Sequence, residues 1–379
     1  MNKISYNRQF IDLSDVRAVS KSLQSEIITT GKFVKTLEDK ISKLLKSNFV
    51  ISCSNGTAGL HLAFMGIGIK KKDNILMPAI NFIAAYNMCQ LLGANIYLVD
   101  VDPLTGQMTP ENLLKCIKKN NLKKIKAIVT MYLGGYPENI VEFYKIKKKY
   151  KCFLVEDACH AFGAKYLSKN KYYNVGSCAH SDICVFSLHP VKTITSGEGG
   201  LISTNQKDIA KKIFLLRSQG IERKKNHWEY DITKLGFNYR LSDINCALAL
   251  SQLSKLNKFL KYRKKIYDYY AKELKDSVNL PNYNINNKPS FHLFLISINF
   301  SKIRSSKKKI LKFLMKNKIY SQYHYIPIYR FSIFKKKINN FDFINAEYYY
   351  KNTISIPIYY NLSLESQKKI VNKIKFFLK

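Results

Sequence analysis

Arginine, acidic residues and tryptophan are scarce in this chain. Its 379 residues include 26 Asp+Glu against 63 Lys+Arg, nine Pro and one Trp, and only eight of the basic residues are Arg. The formal charge of +37 would by itself suit a nucleic-acid binder. The shortage of Arg argues against that, because the planar guanidinium fork is what reads phosphates and base edges, and the lysines are spread over most helical stretches. A solvated lysine surface, in a composition also rich in Ile, Asn and Tyr, accounts for the charge, and no nucleic-acid partner is expected. The positive field still favours a small anionic substrate. CxxC pairs are missing too: the eight cysteines fall mostly in apolar runs such as CFLVEDAC (152–159), which reads as reduced core thiols without a metal site. No run reaches the ~18 apolar residues of a membrane span, and MNKISYNRQFIDLSD holds no apolar leader core, so a cytoplasmic protein without membrane contact is expected.

The strongest positive signal is alternation. Between about residues 49 and 205 stand seven β-branched runs: FVISC, NILMP, IYLVDVD, KAIVTMYL, CFLVEDA, DICVFSL and GGLISTN. Helical patterns with apolar residues at i, i+3 and i+4 separate the first five, as in TAGLHLAFMGIG and PENLLKCIKK. Such βα alternation predicts a seven-stranded, mostly parallel sheet covered on both faces. Beyond residue 240, long Lys/Tyr-rich helical stretches mix with HLFLISINF without βαβ order. A large α/β domain over 1–245, including a helix at LSDVRAVSKSLQS, and a smaller α+β domain over 246–379 are therefore expected. The segment NLPNYNINNKPS (279–290) reads as an exposed loop.

Three segments carry chemistry. In VFSLHPVKTITSGEGG (185–200), Lys192 lies just past an apolar strand, with no charge until Glu198. A lysine that attacks a carbonyl must be neutral, which requires partial burial and a fixed place. With 55 lysines in the chain, an exposed surface role is the default unless the neighbours say otherwise. In VEDACHAFGAKY (155–166), Asp157 ends an apolar strand, a costly place for a carboxylate that meets no cation. The pyridinium nitrogen of pyridoxal phosphate is such a cation, and a carboxylate beside it keeps the ring an electron sink. Capping the following turn is the plainer role for Asp157. In SCSNGTAGLHLAF (52–64), the amides of Gly56 and Thr57 at a helix start suit a phosphate, although Ser-Asn-Gly is also ordinary capping chemistry. Ser187 can add a hydroxyl to the same anion.

Together these segments resemble the DegT/DnrJ/EryC1/StrS family of sugar aminotransferases, which has the fold-type-I, aspartate aminotransferase-like architecture. The resemblance runs over nearly the whole chain. The family's S-x-H-x-x-K stands here as Ser187, His189 and Lys192, and SGEGG (196–200) matches its TGEGG. It implies pyridoxal 5'-phosphate on Lys192, with Asp157 at the ring nitrogen and Gly56, Thr57 and Ser187 at the phosphate. It further implies Phe82 stacked on the ring and His160, where the wider family has Gln, near the phenolic oxygen. Read alone, Phe82 is core packing and His160 a satisfied buried histidine. KLGFNYRLSDINCALALSQL (234–253) matches the family's GxNxRL element, implying that Asn238 reaches the neighbouring subunit's site in a homodimer. A turn before a Ser242-capped helix is the plain alternative. Lysine at 192, where a dehydratase branch carries His, implies transamination.

Within the family, ISYNRQFIDLSD, FSLHPVKTITSGEGG, QYHYIPIYR (322–330) and SIPIYYNLSLES (355–366) resemble one branch. That branch aminates C4 of a UDP-linked keto sugar, UDP-2-acetamido-2,6-dideoxy-β-L-arabino-hexos-4-ulose, on the route to pseudaminic acid, with L-glutamate as donor. The likeness implies sugar contacts from Tyr6, Thr29, Thr30, His189, Asn238, His324, Tyr325, Ile326 and Pro327. Thr30 stands where Gln is usual, and residues 221–233 carry no usable motif. Two other readings stand beside this one: an aminotransferase for another nucleotide-linked keto sugar, and a non-catalytic α/β protein that binds polyanions.

Overall fold

The computed structural model describes residues 3–226, 228–334 and 342–379. Two N-terminal helices come first, α1 (Leu13–Leu23) and α2 (Lys32–Leu45). Asp12 caps α1 by accepting the Ser14 and Asp15 amides, and the Asp15 carboxylate caps back onto the Asp12 amide. The alternating region follows as β1 (Phe49–Cys53), α3 (Gly56–Gly66), β2 (Asn74–Pro78), α4 (Ala84–Leu91), β3 (Asn95–Val99), α5 (Pro110–Lys119), β4 (Ala127–Met131), α6 (Ile140–Tyr150) and β5 (Phe153–Asp157). A hairpin of β6 (Lys165–Ser168) and β7 (Lys171–Asn174) then precedes β8 (Ile183–Ser187) and β9 (Gly200–Thr204).

All seven runs read as strands from the sequence join one sheet, in the order β1-β9-β8-β5-β4-β2-β3. Its neighbours are parallel except that β9 runs antiparallel to both β1 and β8. Residues of β4 and β9 are buried without exception, as expected of strands covered on both faces. Two apolar clusters, one on each side, fill the space between sheet and helices. In an open sheet of this kind, ligands sit at the carboxyl ends of the strands, here marked by Cys53, Asp157 and Ser187.

Downstream come α7 (Lys207–Arg217), an exposed hairpin of β10 (Ile221–Arg223) and β11 (Tyr230–Ile232), α8 (Asp243–Ser254) and α9 (Leu256–Leu274). The chain ends in β12 (Phe294–Ser297), α10 (Lys307–Lys316), α11 (Ile344–Asn352), β13 (Thr353–Ile356) and α12 (Leu364–Leu378). β12 and β13 pair antiparallel, and a third apolar cluster joins them to α9, α10 and α12. Ile4 belongs to that cluster, and its amide donates to the Lys318 carbonyl at 2.9 Å, so the N-terminal segment is docked on the C-terminal elements. Residues 245 and 246 lie inside α8. Among the described residues no helix is long and apolar enough to cross a membrane. The eight cysteines are all free, and six of them are buried.

Candidate active site

The local sequence around Gly56 builds an anion seat. Asn55 caps α3 by accepting the Ala58 amide at 2.8 Å, and the Gly59 amide bonds the Asn55 carbonyl. The amides of Gly56 and Thr57 are the two that the helix start leaves over, at the positive end of its dipole. A Cβ on Gly56 would lie 3.0 Å from Ser187 Cβ and 3.3 Å from Cys159 Sγ. The start of α3 and the end of β8 therefore touch, and glycine keeps the space between them open.

β5 pairs with β8 in parallel register, Asp157 opposite Val185, which brings together residues separated by 35 positions, Asp157 and Lys192. Asp157 is only 2% exposed, and its Oδ1 accepts the Cys159 amide at 3.2 Å. Burial pushes this carboxyl above its ordinary range, while Cys159 and the Lys192 charge pull it back. Lys192, in the turn after β8, is half-buried, and desolvation pushes its amine below the usual lysine range against the pull of Cys159 and Asp157. Each member of this pair lowers the cost of the other.

Strand alternation sends Glu156 to the opposite face from Asp157. There it accepts the Tyr132 hydroxyl at 2.7 Å and the Ser181 hydroxyl, and burial pushes its carboxyl up to about 7. Because the folded value exceeds the unfolded one near 4.5, the associated stability is complete below about 4.5 and is lost as pH rises through about 7. Glu156→Gln cannot ionise, so it should gain on the wild type between pH 5 and 8 by on the order of 2 kcal/mol in denaturant melts. A difference that does not change with pH would contradict this account.

A cavity of about 560 Å³ opens between these strand ends and the C-terminal elements. Tyr6, Gly56, Thr57, Phe82, Asp157, His160, Ser187, His189, Lys192, His324 and Tyr325, all singled out from the sequence, border it. Phe82 is 52% exposed, with its ring 5.8 Å from that of Tyr325, and so is not core packing. His160 is 3% exposed and satisfied at both nitrogens: Nδ1 accepts the Gly134 amide at 3.3 Å, which leaves the proton on Nε2, 2.9 Å from the Tyr325 hydroxyl. His189 is exposed beside Glu198, at 3.9 Å. His324 bonds the Ser355 hydroxyl through Nδ1 at 2.7 Å.

Five residues expected at the site do not border the cavity of their own chain: Thr29, Thr30, Asn238, Ile326 and Pro327. Thr29 bridges to Ser242, at the start of α8, and Thr30 lies exposed beside it at a φ of 57°. Asn238 is exposed and bridges to Ser218. Ile326 is half-buried and Pro327 buried. Conversely, the cavity includes Asn55, Cys159, Glu198, Tyr239 and His292, to which sequence reasoning gave no role. His292 had a signal, a polar residue opening the apolar run HLFLISINF, the mirror image of Asp157 closing one.

A seven-stranded sheet with one reversed strand, and a lysine and a buried carboxylate bordering one cavity at its carboxyl edge, define the aspartate aminotransferase class of fold. Within that class the chain belongs to the DegT/DnrJ/EryC1/StrS aminotransferase family, which matches residues 9–375. It is 36% identical over 370 residues, 96% of this chain and 95% of the other, to a UDP-4-amino-4,6-dideoxy-N-acetyl-beta-L-altrosamine transaminase of Campylobacter jejuni strain 81-176. A transaminase of the same name from C. jejuni serotype O:2 is 34% identical over 367 residues, 96% and 95% of the two chains. Among solved structures, Helicobacter pylori PseC, an aminotransferase involved in the biosynthesis of pseudoaminic acid, has a TM-score of 0.90 at 28% identity, covering 100% of this chain and 99% of that one. The protein is a sugar aminotransferase, and its cofactor is pyridoxal 5'-phosphate.

Proposed function

We propose that the enzyme transfers the amino group of L-glutamate to C4 of UDP-2-acetamido-2,6-dideoxy-β-L-arabino-hexos-4-ulose, on the route to pseudaminic acid. The names of the C. jejuni and H. pylori relatives support the sugar, and the meeting of Lys192 with Asp157 in one cavity supports the chemistry. The residues present fit the cofactor. Asp157 is a buried carboxyl whose close protein donor among the described residues is Cys159, the situation that a ring cation relieves, and the Gly56–Ser187 cleft is one that a Cβ would fill. When bound, pyridoxal phosphate supplies a carbonyl carbon for the amine and a protonated ring that spreads negative charge.

On this reading Lys192 would hold the cofactor through its neutral Nζ and, once released from it, would carry a proton in each half-reaction, removing one from the α-carbon of the donor in the first and delivering one to C4 of the sugar in the second. Asp157 holds the ring nitrogen protonated. Gly56, Thr57 and Ser187 would hold the phosphate, Phe82 would cover the ring, and the tautomer of His160 leaves the Tyr325 hydroxyl free to donate to a ligand oxygen. Gly56→Ala should weaken cofactor binding about tenfold, or about 1.4 kcal/mol, in titrations of the apoenzyme. Unchanged affinity would remove the phosphate from this cleft.

We also propose that the enzyme works as a homodimer in the cytoplasm, with Asn238 serving the partner's site, and that its large and small domains divide near residue 245. Asn238 stays outside its own cavity, and nearby Trp228, Tyr230, Ile232 and Leu235 are 53–86% exposed, an apolar surface suited to a second copy. The test of the function is incubation of purified enzyme with the UDP-linked 4-keto sugar and L-glutamate, followed by mass analysis. Formation of the 4-amino sugar nucleotide and 2-oxoglutarate is expected. Reaction only with a different keto sugar would replace the substrate while keeping the chemistry.

A further inference from the structure

We infer that His292, braced by the buried guanidinium of Arg263, is a residue that contacts the sugar substrate. The inference rests on the sugar aminotransferase reading above. His292 is 2% exposed, yet it borders the cavity. Its amide donates to the Gly134 carbonyl at 2.8 Å, and its ring centroid lies 4.3 Å from that of His160. Nδ1 is shut off from solvent, with no hydrogen-bond partner among the described residues. A buried polar atom left unused costs about 1–3 kcal/mol, a cost that a packed core would avoid by placing an apolar ring there. With Nδ1 closed off, hydrogen bonding to a ligand falls to Nε2.

Arg263 explains how the ring is held. It projects from α9 into the interior, 2% exposed, and among the described residues its hydrogen-bond partners include no carboxylate. Its guanidinium instead donates to the carbonyls of Phe291 at 3.4 Å, His292 at 3.3 Å and Ile358 at 2.9 Å, and to Asn7 Oδ1 at 3.2 Å. One side chain thus ties α9 to the backbone of His292 and to the neighbour of Tyr6, two points on the same cavity wall. Burying an ion without a counter-charge is expensive, so a role beyond filling space is required of it.

The chemistry of this wall selects its ligand. Burial, with help from Lys192, holds His160, His292 and His324 neutral, and Arg263 adds to the effect on His292. Burial likewise keeps the Tyr6 and Tyr325 phenols protonated. Three imidazoles and two phenols without charge match the hydroxyl, carbonyl and amide groups of a sugar ring.

The two half-reactions separate these roles. His292→Asn, His292→Phe and Arg263→Lys are compared with wild type on whichever UDP-linked 4-keto sugar the wild type turns over, so a wrong choice of sugar is recognised in the wild type alone. The spectral change on adding L-glutamate should stay within about twofold of wild type in all three. KM for the keto sugar should rise at least tenfold in both His292 variants and less in Arg263→Lys, while the affinity for UDP alone, read by calorimetry, stays unchanged. Equal slowing of both half-reactions, an equal loss of UDP affinity, or an unchanged sugar KM would each overturn the inference. Thermal melts identify a variant that has merely lost its fold, and His292→Asn, which keeps a polar group, is the milder control.

Discussion

Lys192→Ala is expected to abolish turnover, with kcat down by roughly 10⁴-fold or more, because in the proposed function one side chain both holds the cofactor and moves the proton. The purified wild type is expected to be yellow and to be bleached by borohydride, and this variant should show neither. Lys192→Arg should do no better, since a guanidinium stays charged and cannot act as the nucleophile. A pH dependence follows from the environment of the amine. Burial pushes Lys192 below the ordinary lysine value of 10.5, so the neutral form is present at lower pH than for an exposed lysine. Capture of pyridoxal phosphate by the apoenzyme should therefore accelerate with rising pH and level off before that value. A coloured, active Lys192→Ala enzyme would move the chemistry elsewhere.

Asp157→Asn is the second large effect expected. Asn keeps the side-chain oxygen that accepts the Cys159 amide, so the turn after β5 should survive and the melting temperature should change little. What it loses is the negative charge proposed to face the ring nitrogen. Removing a preorganised electrostatic partner of this kind typically costs 10²- to 10³-fold in kcat, and both half-reactions should slow together, since both depend on the same electron sink. If Asp157 served only as a turn cap, kcat would stay at the wild-type level, which the same assay would detect.

The two residues at the centre of these predictions were legible for different reasons. Asp157 stood out by itself, a carboxylate closing an apolar strand. Lys192, one lysine among 55, was identified by its neighbours, by Ser187 and His189 before it and SGEGG after it. Phe82 shows the limit of such reading: an apolar residue between Asn81 and Ile83 gives no local sign that its ring is 52% exposed at a cavity. His160 fits both of its readings, a satisfied buried histidine and a residue of the cavity wall. The hairpins β6–β7 and β10–β11, together with α2 and α7, were not anticipated. Short Tyr-rich strands lack clean alternation, and in these helices lysines dilute the apolar stripe, such as Val34, Leu37, Ile41 and Leu45 in α2.

By itself the sequence determined the seven strands, the helix start at Gly56 and the strand ends that carry Asp157 and Ser187. Those features depend on apolar continuity and capping over a few residues, which any local stretch must satisfy to fold. Only the tertiary structure decided that β8 lies beside β5 across an intervening hairpin, and that β9 reverses to join β1 to the sheet. It also decided that Arg263 joins Asn7 to His292, and that Thr29, Thr30, Asn238, Ile326 and Pro327 stay off their own chain's cavity. Contacts between residues so far apart are chosen by which buried surfaces and unpaired polar groups fit one another, and no pattern along the chain records that choice.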